Sequence, residues 1–132
     1  MKLSDSKILM SSLFASGVAG IVSEYVLATL ATYFLGNSVF QWTIILSIML
    51  FSMGLGSRIS RSINKNIIEF FIAAELLLSF LPSLCALLVY SLMGTTEYVE
   101  IFIYSLAILV GLLIGLEIPL VTRINGRYHD LK

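Results

Sequence analysis

The chain has 132 residues, of which 58% are hydrophobic and 12% charged, with a mean hydropathy of +0.99; a soluble domain is nearer half apolar and about a quarter charged. A soluble fold of this size leaves much of its surface in water and cannot hide so many apolar side chains in one core, so the composition asks for lipid as solvent. Eight basic and eight acidic residues cancel, which excludes any strong electrostatic case for nucleic acid or an acidic partner and leaves the information in where the charges sit.

Four apolar stretches follow one another, at about residues 8–35, 39–57, 67–92 and 101–122. Each approaches or exceeds the roughly 20 residues that cross a hydrocarbon layer of about 30 Å. Continuous runs without alternating polarity favour helices over barrel strands. The expected fold is therefore all-α, an integral membrane bundle of four transmembrane helices, forming a single membrane domain over residues 1–132. The first stretch follows Lys2 and Lys7 as a signal peptide would, but it is about twice the usual apolar length and contains Glu24, which favours a retained helix. Gly36 suits a left-handed helix end, and Ser38 with Gln41 has capping-box spacing for the second helix. Asn64, Lys65 and Asn66 form a polar turn, and Gly94, Thr95, Thr96 and Glu97 begin the last connection. Pro82 and Pro119 are expected to bend the third and fourth helices. Residues 123–132, with His129 among them, read as a short polar tail.

Orientation comes from the basic residues. Lys2 and Lys7 precede the first helix, Arg58, Arg61 and Lys65 lie between the second and third, and Arg123, Arg127 and Lys132 close the chain. All eight thus fall on one side, while Tyr33, Phe34, Phe40, Trp42, Tyr90 and Tyr98 gather at the other as an aromatic belt. The expected location is the inner cell membrane, multi-pass, with both termini cytoplasmic.

Three carboxylates interrupt the apolar runs: Glu24, Glu75 and Glu117. A charge at the centre of a membrane helix costs a few kcal/mol, so these residues are the candidate amine or proton site. Glu75 lies roughly 12 Å and Glu117 roughly 8 Å inside the same boundary, at 1.5 Å per helical residue. Arg58 and Arg61 close the second helix on that side and are candidate ion-pair partners. Glu24 sits nearer the other half, opposite Gln41 and Thr43. Ser12, Ser16, Gly20, Glu24, Ala28 and Thr32 recur every four residues along one face of the first helix. With Gly54, Gly56, Gly111 and Gly115 they are candidate positions for close helix packing. There is no glycine-rich nucleotide loop and no histidine or cysteine cluster, and the single cysteine is Cys85. No catalytic residue, metal or cofactor is expected.

The segment Glu24-Tyr25, followed by Tyr33-Phe34-Leu35-Gly36-Asn37-Ser38-Val39-Phe40-Gln41-Trp42 and by Phe51-Ser52-Met53-Gly54-Leu55-Gly56-Ser57, resembles the opening of the membrane domain in membrane-bound spermidine synthase-like proteins, the polyamine aminopropyltransferases. Glu75-Leu76-Leu77 and Gly115-Leu116-Glu117-Ile118-Pro119-Leu120 with Thr122-Arg123 look like the third and fourth helices of that domain. In that family, the resemblance implies, further membrane helices and a cytoplasmic aminopropyltransferase domain follow, and the latter joins decarboxylated S-adenosylmethionine to putrescine. The catalytic aspartates and nucleotide-binding glycines belong to that later domain and transfer to no position among these 132 residues.

The leading expectation is a noncatalytic membrane module that anchors or assists a cytoplasmic synthase-type partner and binds a cationic polyamine near Glu24, Glu75 and Glu117. Partners expected with it are the lipid bilayer and a second copy or another membrane subunit, and no nucleic acid. A transporter of the small multidrug-resistance type, using Glu24, is the first alternative. It fits less well, because such proteins carry a weak charge bias. A purely structural assembly subunit is the second.

Overall fold

A computed structural model describes the backbone of residues 3–63, 66–91 and 96–129, and side chains within 10–63, 66–81, 83–85, 87–91 and 98–124. Four helices account for nearly all of it: α1 (Leu3–Leu35), α2 (Ser38–Ser60), α3 (Ile67–Ser91) and α4 (Thr96–His129). Each contains a segment long and apolar enough to cross a membrane: Met10–Leu35, Ser38–Ser60, Ile67–Ser91 and Tyr98–Ile124. Phe14, Phe51, Leu76, Phe80, Leu87 and Ile101 point outward and are exposed, the arrangement a helix bundle takes when lipid solvates its outer face.

The turns explain the boundaries. Gly36 has φ +75°, and its N–H donates to the Thr32 carbonyl at 3.0 Å, closing α1 in the left-handed conformation that glycine tolerates. Asn37 follows at φ 47° and caps α2, its side-chain oxygen accepting the Phe40 N–H at 3.4 Å. The cap is therefore Asn37, one residue before the Ser38 that sequence spacing selects, because an asparagine both accepts this bond and tolerates positive φ. Asn66, at φ 54°, precedes α3 and donates to Glu69 at 2.9 Å in the first helical turn, where a carboxylate also meets the positive end of the helix dipole.

Helix α4 is longer than the apolar pattern, running from Thr96 through Pro119 to His129. The polar residues after Arg123 thus continue the helical backbone to that point instead of leaving it as a tail. Hydrophobicity marks only the part of a helix that lipid requires; backbone hydrogen bonding extends it further. Helix α3 likewise runs through position 82.

Helices α1 and α4 form the centre and touch each other as well as α2 and α3, whereas α2 and α3 do not meet among the described residues. The most extensive contact is α2 with α4. It depends on missing side chains: a methyl group added at Gly111 would come within 2.7 Å of the Met49 carbonyl oxygen. One at Gly115 would strike the Met53 carbonyl, and one at Gly56 the Leu112 carbonyl. The two backbones are therefore in direct contact, as small-residue spacing allows in membranes.

Two apolar clusters are stacked along the bundle. The larger joins Leu27, Ala31, Ile45, Met49, Leu78, Val89, Ile103 and Leu113. The smaller joins Ile67, Phe71, Leu120, Val121 and Ile124, with Leu13 and Ile63 against it. Between them, in chain order along both α3 and α4, lie Glu75 and Glu117.

Candidate functional site

Most hydroxyl groups in the apolar helices have a local partner. Ser23, Thr29, Thr32, Thr43, Ser47, Ser79, Ser83 and Ser105 each donate to the carbonyl four residues earlier, at 2.6–2.9 Å. Such bonds satisfy the hydroxyl inside its own helix and need no ligand. Two hydroxyls on the inward face of α1 behave differently: Ser12 donates to Glu75 Oε1 of α3 at 2.9 Å. Ser16, one turn further, donates to the Leu13 carbonyl at 3.3 Å and also lies within hydrogen-bonding reach of the Glu117 carboxyl group.

The four-residue spacing of Ser12 and Ser16 fixes this geometry, since it sets both hydroxyls on one face about 6 Å apart along the axis. Glu117 is 2% and Ser16 3% exposed, whereas Ser12 and Glu75 are half-buried at the α1–α3 seam. Glu117 is close enough to Glu75 for their charges to interact. Its Oε1 atom is buried and accepts no hydrogen bond. The result is a polar layer of two carboxyl groups and two hydroxyls, closed above and below by the apolar clusters.

Sequence spacing placed Glu75 and Glu117 in one layer, and the structure brings them together. Glu24 is elsewhere: it lies on the same face of α1 but two turns beyond Ser16, about 12 Å along the axis, and is half-buried. Gln41, which sequence sets opposite Glu24, instead accepts the Tyr104 hydroxyl of α4 at 2.9 Å.

Arg58 and Arg61 do not pair with Glu75 or Glu117. Both are exposed at the end of α2, and no ion pair joins either to a carboxylate among the described residues. The physical reason is direction: α2 packs on α4 through Gly56, while Glu75 belongs to α3, which α2 does not touch. Among the described residues the inward-turned basic side chain is Arg123, in sequence one of the boundary charges. Its Nη1 donates to the carbonyls of Ser60 at 3.1 Å and Ile63 at 2.7 Å, at the end of α2. Ser16 and Gly20 are buried, as the small stripe of α1 requires, and Gly20 abuts Ile114.

Polyamine aminopropyltransferase 2 of Aquifex aeolicus (strain VF5) is 47% identical over 131 residues, covering 98% of this chain and 27% of the relative. The polyamine aminopropyltransferase of Leptospira interrogans (serogroup Icterohaemorrhagiae, serovar copenhageni, strain Fiocruz L1-130) is 36% identical over 113 residues, covering 86% and 23%. The chain is a homologue of polyamine aminopropyltransferases over this helical segment. Polyamine aminopropyltransferase 1 of Streptomyces coelicolor is a third such relative, 32% identical over 120 residues, or 91% of this chain and 23% of its own length. The chain spans about a quarter of the length of these relatives. No family model and no solved structure matches it.

Proposed function

We propose that these four helices are a noncatalytic membrane module that anchors or assists a synthase-type partner acting on polyamines. One observation carries this reading. Nearly the whole chain aligns with a quarter of proteins named polyamine aminopropyltransferase, and in this chain the aligned segment folds into helices long and apolar enough to cross a membrane. Among the described residues no three His, Cys, Asp or Glu side chains converge, and the one polar layer has only oxygen atoms of Ser and Glu to offer. Such a set can hold a cation but supplies no nucleotide-binding loop and no activated nucleophile. The module's contribution is thus location: it keeps the partner's amine chemistry at the bilayer surface.

The test is to capture the tagged chain from detergent-solubilised membranes of its host and assay the material for aminopropyl transfer to putrescine. The expected result is activity in the captured membrane fraction and none in the purified chain alone. Activity confined to the soluble fraction would overturn the anchoring role, and activity of the chain alone would overturn its noncatalytic character.

A further inference from the structure

The polar layer between α1, α3 and α4 is built from acceptors. The Ser12 hydroxyl proton is committed to Glu75, and the single Ser16 hydroxyl proton to Leu13 or Glu117. What remains facing the layer is hydroxyl lone pairs and carboxylate oxygens, among them Glu117 Oε1, which is buried and accepts from no protein donor. Arg123, a cation of α4, donates to the carbonyls of Ser60 and Ile63 at the end of α2. A group that brings donors and positive charge and accepts nothing fits this layer.

We propose that Glu117, Glu75, Ser16 and Ser12 form a binding site for a primary ammonium group. An alkyl ammonium carries three N–H donors and no acceptor. It can give one bond to Glu117 Oε1, one to Glu75 and one to a serine oxygen, so every donor meets an acceptor. Burying a carboxylate without a partner is costly, and a charge-assisted bond inside a low-dielectric layer is correspondingly strong. The half-buried pair Ser12 and Glu75 forms the approach along the α1–α3 seam, and the sealed pair Ser16 and Glu117 forms the inner end. Two carboxylates are few for a divalent metal, which takes six or more oxygen ligands. The apolar clusters on either side suit the alkyl chain that an ammonium carries. The site is argued from donors and acceptors alone and stands whether or not the module serves a synthase-type partner.

The experiment is calorimetric titration of the purified full chain in mild detergent with n-butylammonium, tetramethylammonium and sodium chlorides. Saturable binding of n-butylammonium alone is the expected result, because tetramethylammonium has the same charge and no N–H. Glu117→Gln and Glu75→Gln should each weaken it by about tenfold or more, the loss of one charge-assisted hydrogen bond, and Glu100→Gln, at an exposed carboxylate near the start of α4, should leave it unchanged. Circular dichroism and a monodisperse elution profile check that the variants fold. If Glu117→Gln does not fold, half-buried Glu75→Gln carries the test. Equal binding of tetramethylammonium or sodium, no binding by the wild-type chain, or undiminished binding in a folded Glu75→Gln variant would overturn the proposal.

Discussion

Arg123 closes the end of α2 from a helix more than sixty positions further along the chain. The last turn of α2 is tightened by bonds from Arg61 N–H to Arg58 O, Ser62 N–H to Ile59 O and Ile63 N–H to Ser60 O, yet helix-end carbonyls retain acceptor capacity that lipid cannot fill. The Arg123 guanidinium supplies two donors to it. Arg123→Met keeps much of the apolar stem and removes those donors. It is expected to lower unfolding stability by about 1–3 kcal/mol, the range for hydrogen bonds made by charged groups, as read from reversible unfolding in mixed detergent micelles. Tyr104→Phe, which deletes one neutral bond to Gln41, is expected to cost only about 0.6 kcal/mol, the average for interhelical side-chain bonds in a membrane. Equal costs would refute this ranking. At this scale the sequence was partly legible: the inward stripe through Ser12 and Ser16 follows from four-residue spacing, and so does the shared layer of Glu75 and Glu117. The role of Arg123 was not, because a position at the hydrophobic boundary looks the same whether its side chain turns outward to headgroups or inward to another helix.

Helix pairs differ in what they tolerate. The α2–α4 contact has backbone against backbone at Gly56, Gly111 and Gly115, while a methyl group at Gly54 meets nothing within 4 Å. Gly115→Ala should therefore force α2 away from α4 and destabilise the bundle by about 1–3 kcal/mol or more, as overpacking does. Gly54→Ala should be neutral or stabilise by about 0.5–1 kcal/mol, because alanine gives up less backbone entropy in a helix. A temperature ramp followed by size-exclusion chromatography separates the two outcomes, and similar midpoints for both variants would contradict the packing described. The glycine at position 115 was visible in sequence as part of a Gly-x-x-x-Gly pattern, but its partner was not, since that pattern fits equally well between copies of the chain. What assigns it to α2 is the pairing of α2 with α4, and only the folded chain specifies that. The cap of α2 differs from the sequence pattern for a related reason. Ser38 and Asn37 are both good caps, and the choice was made by the φ that Gly36 and Asn37 share across a two-residue turn.

For the whole molecule, the decisive property is orientation. Four helices that each cross a membrane would bring both ends of the chain to one side, but geometry alone does not say which. The charge pattern of the sequence supplies an expectation: Arg58 and Arg61 come at the end of α2 and Arg123 near the end of α4, and the connection through Gly36 and Asn37 has no basic residue. Basic loops are retained on the cytoplasmic side, so the expected orientation has Ser62 inside and Asn37 outside. The chain suits cysteine labelling because its one cysteine, Cys85, is buried in α3. Replacing it by serine and introducing Ser62→Cys or Asn37→Cys, both at exposed turn positions, gives two single-site reporters. An impermeant maleimide should label Asn37→Cys in intact cells and Ser62→Cys only after permeabilisation. The reverse pattern would refute the charge argument. Labelling of both positions in intact cells would mean insertion in both directions, the behaviour expected of the small multidrug-resistance alternative. A single orientation fixes the end at which Ser12, Glu75 and Glu117 lie, and with it the compartment from which an ammonium group would enter the polar layer.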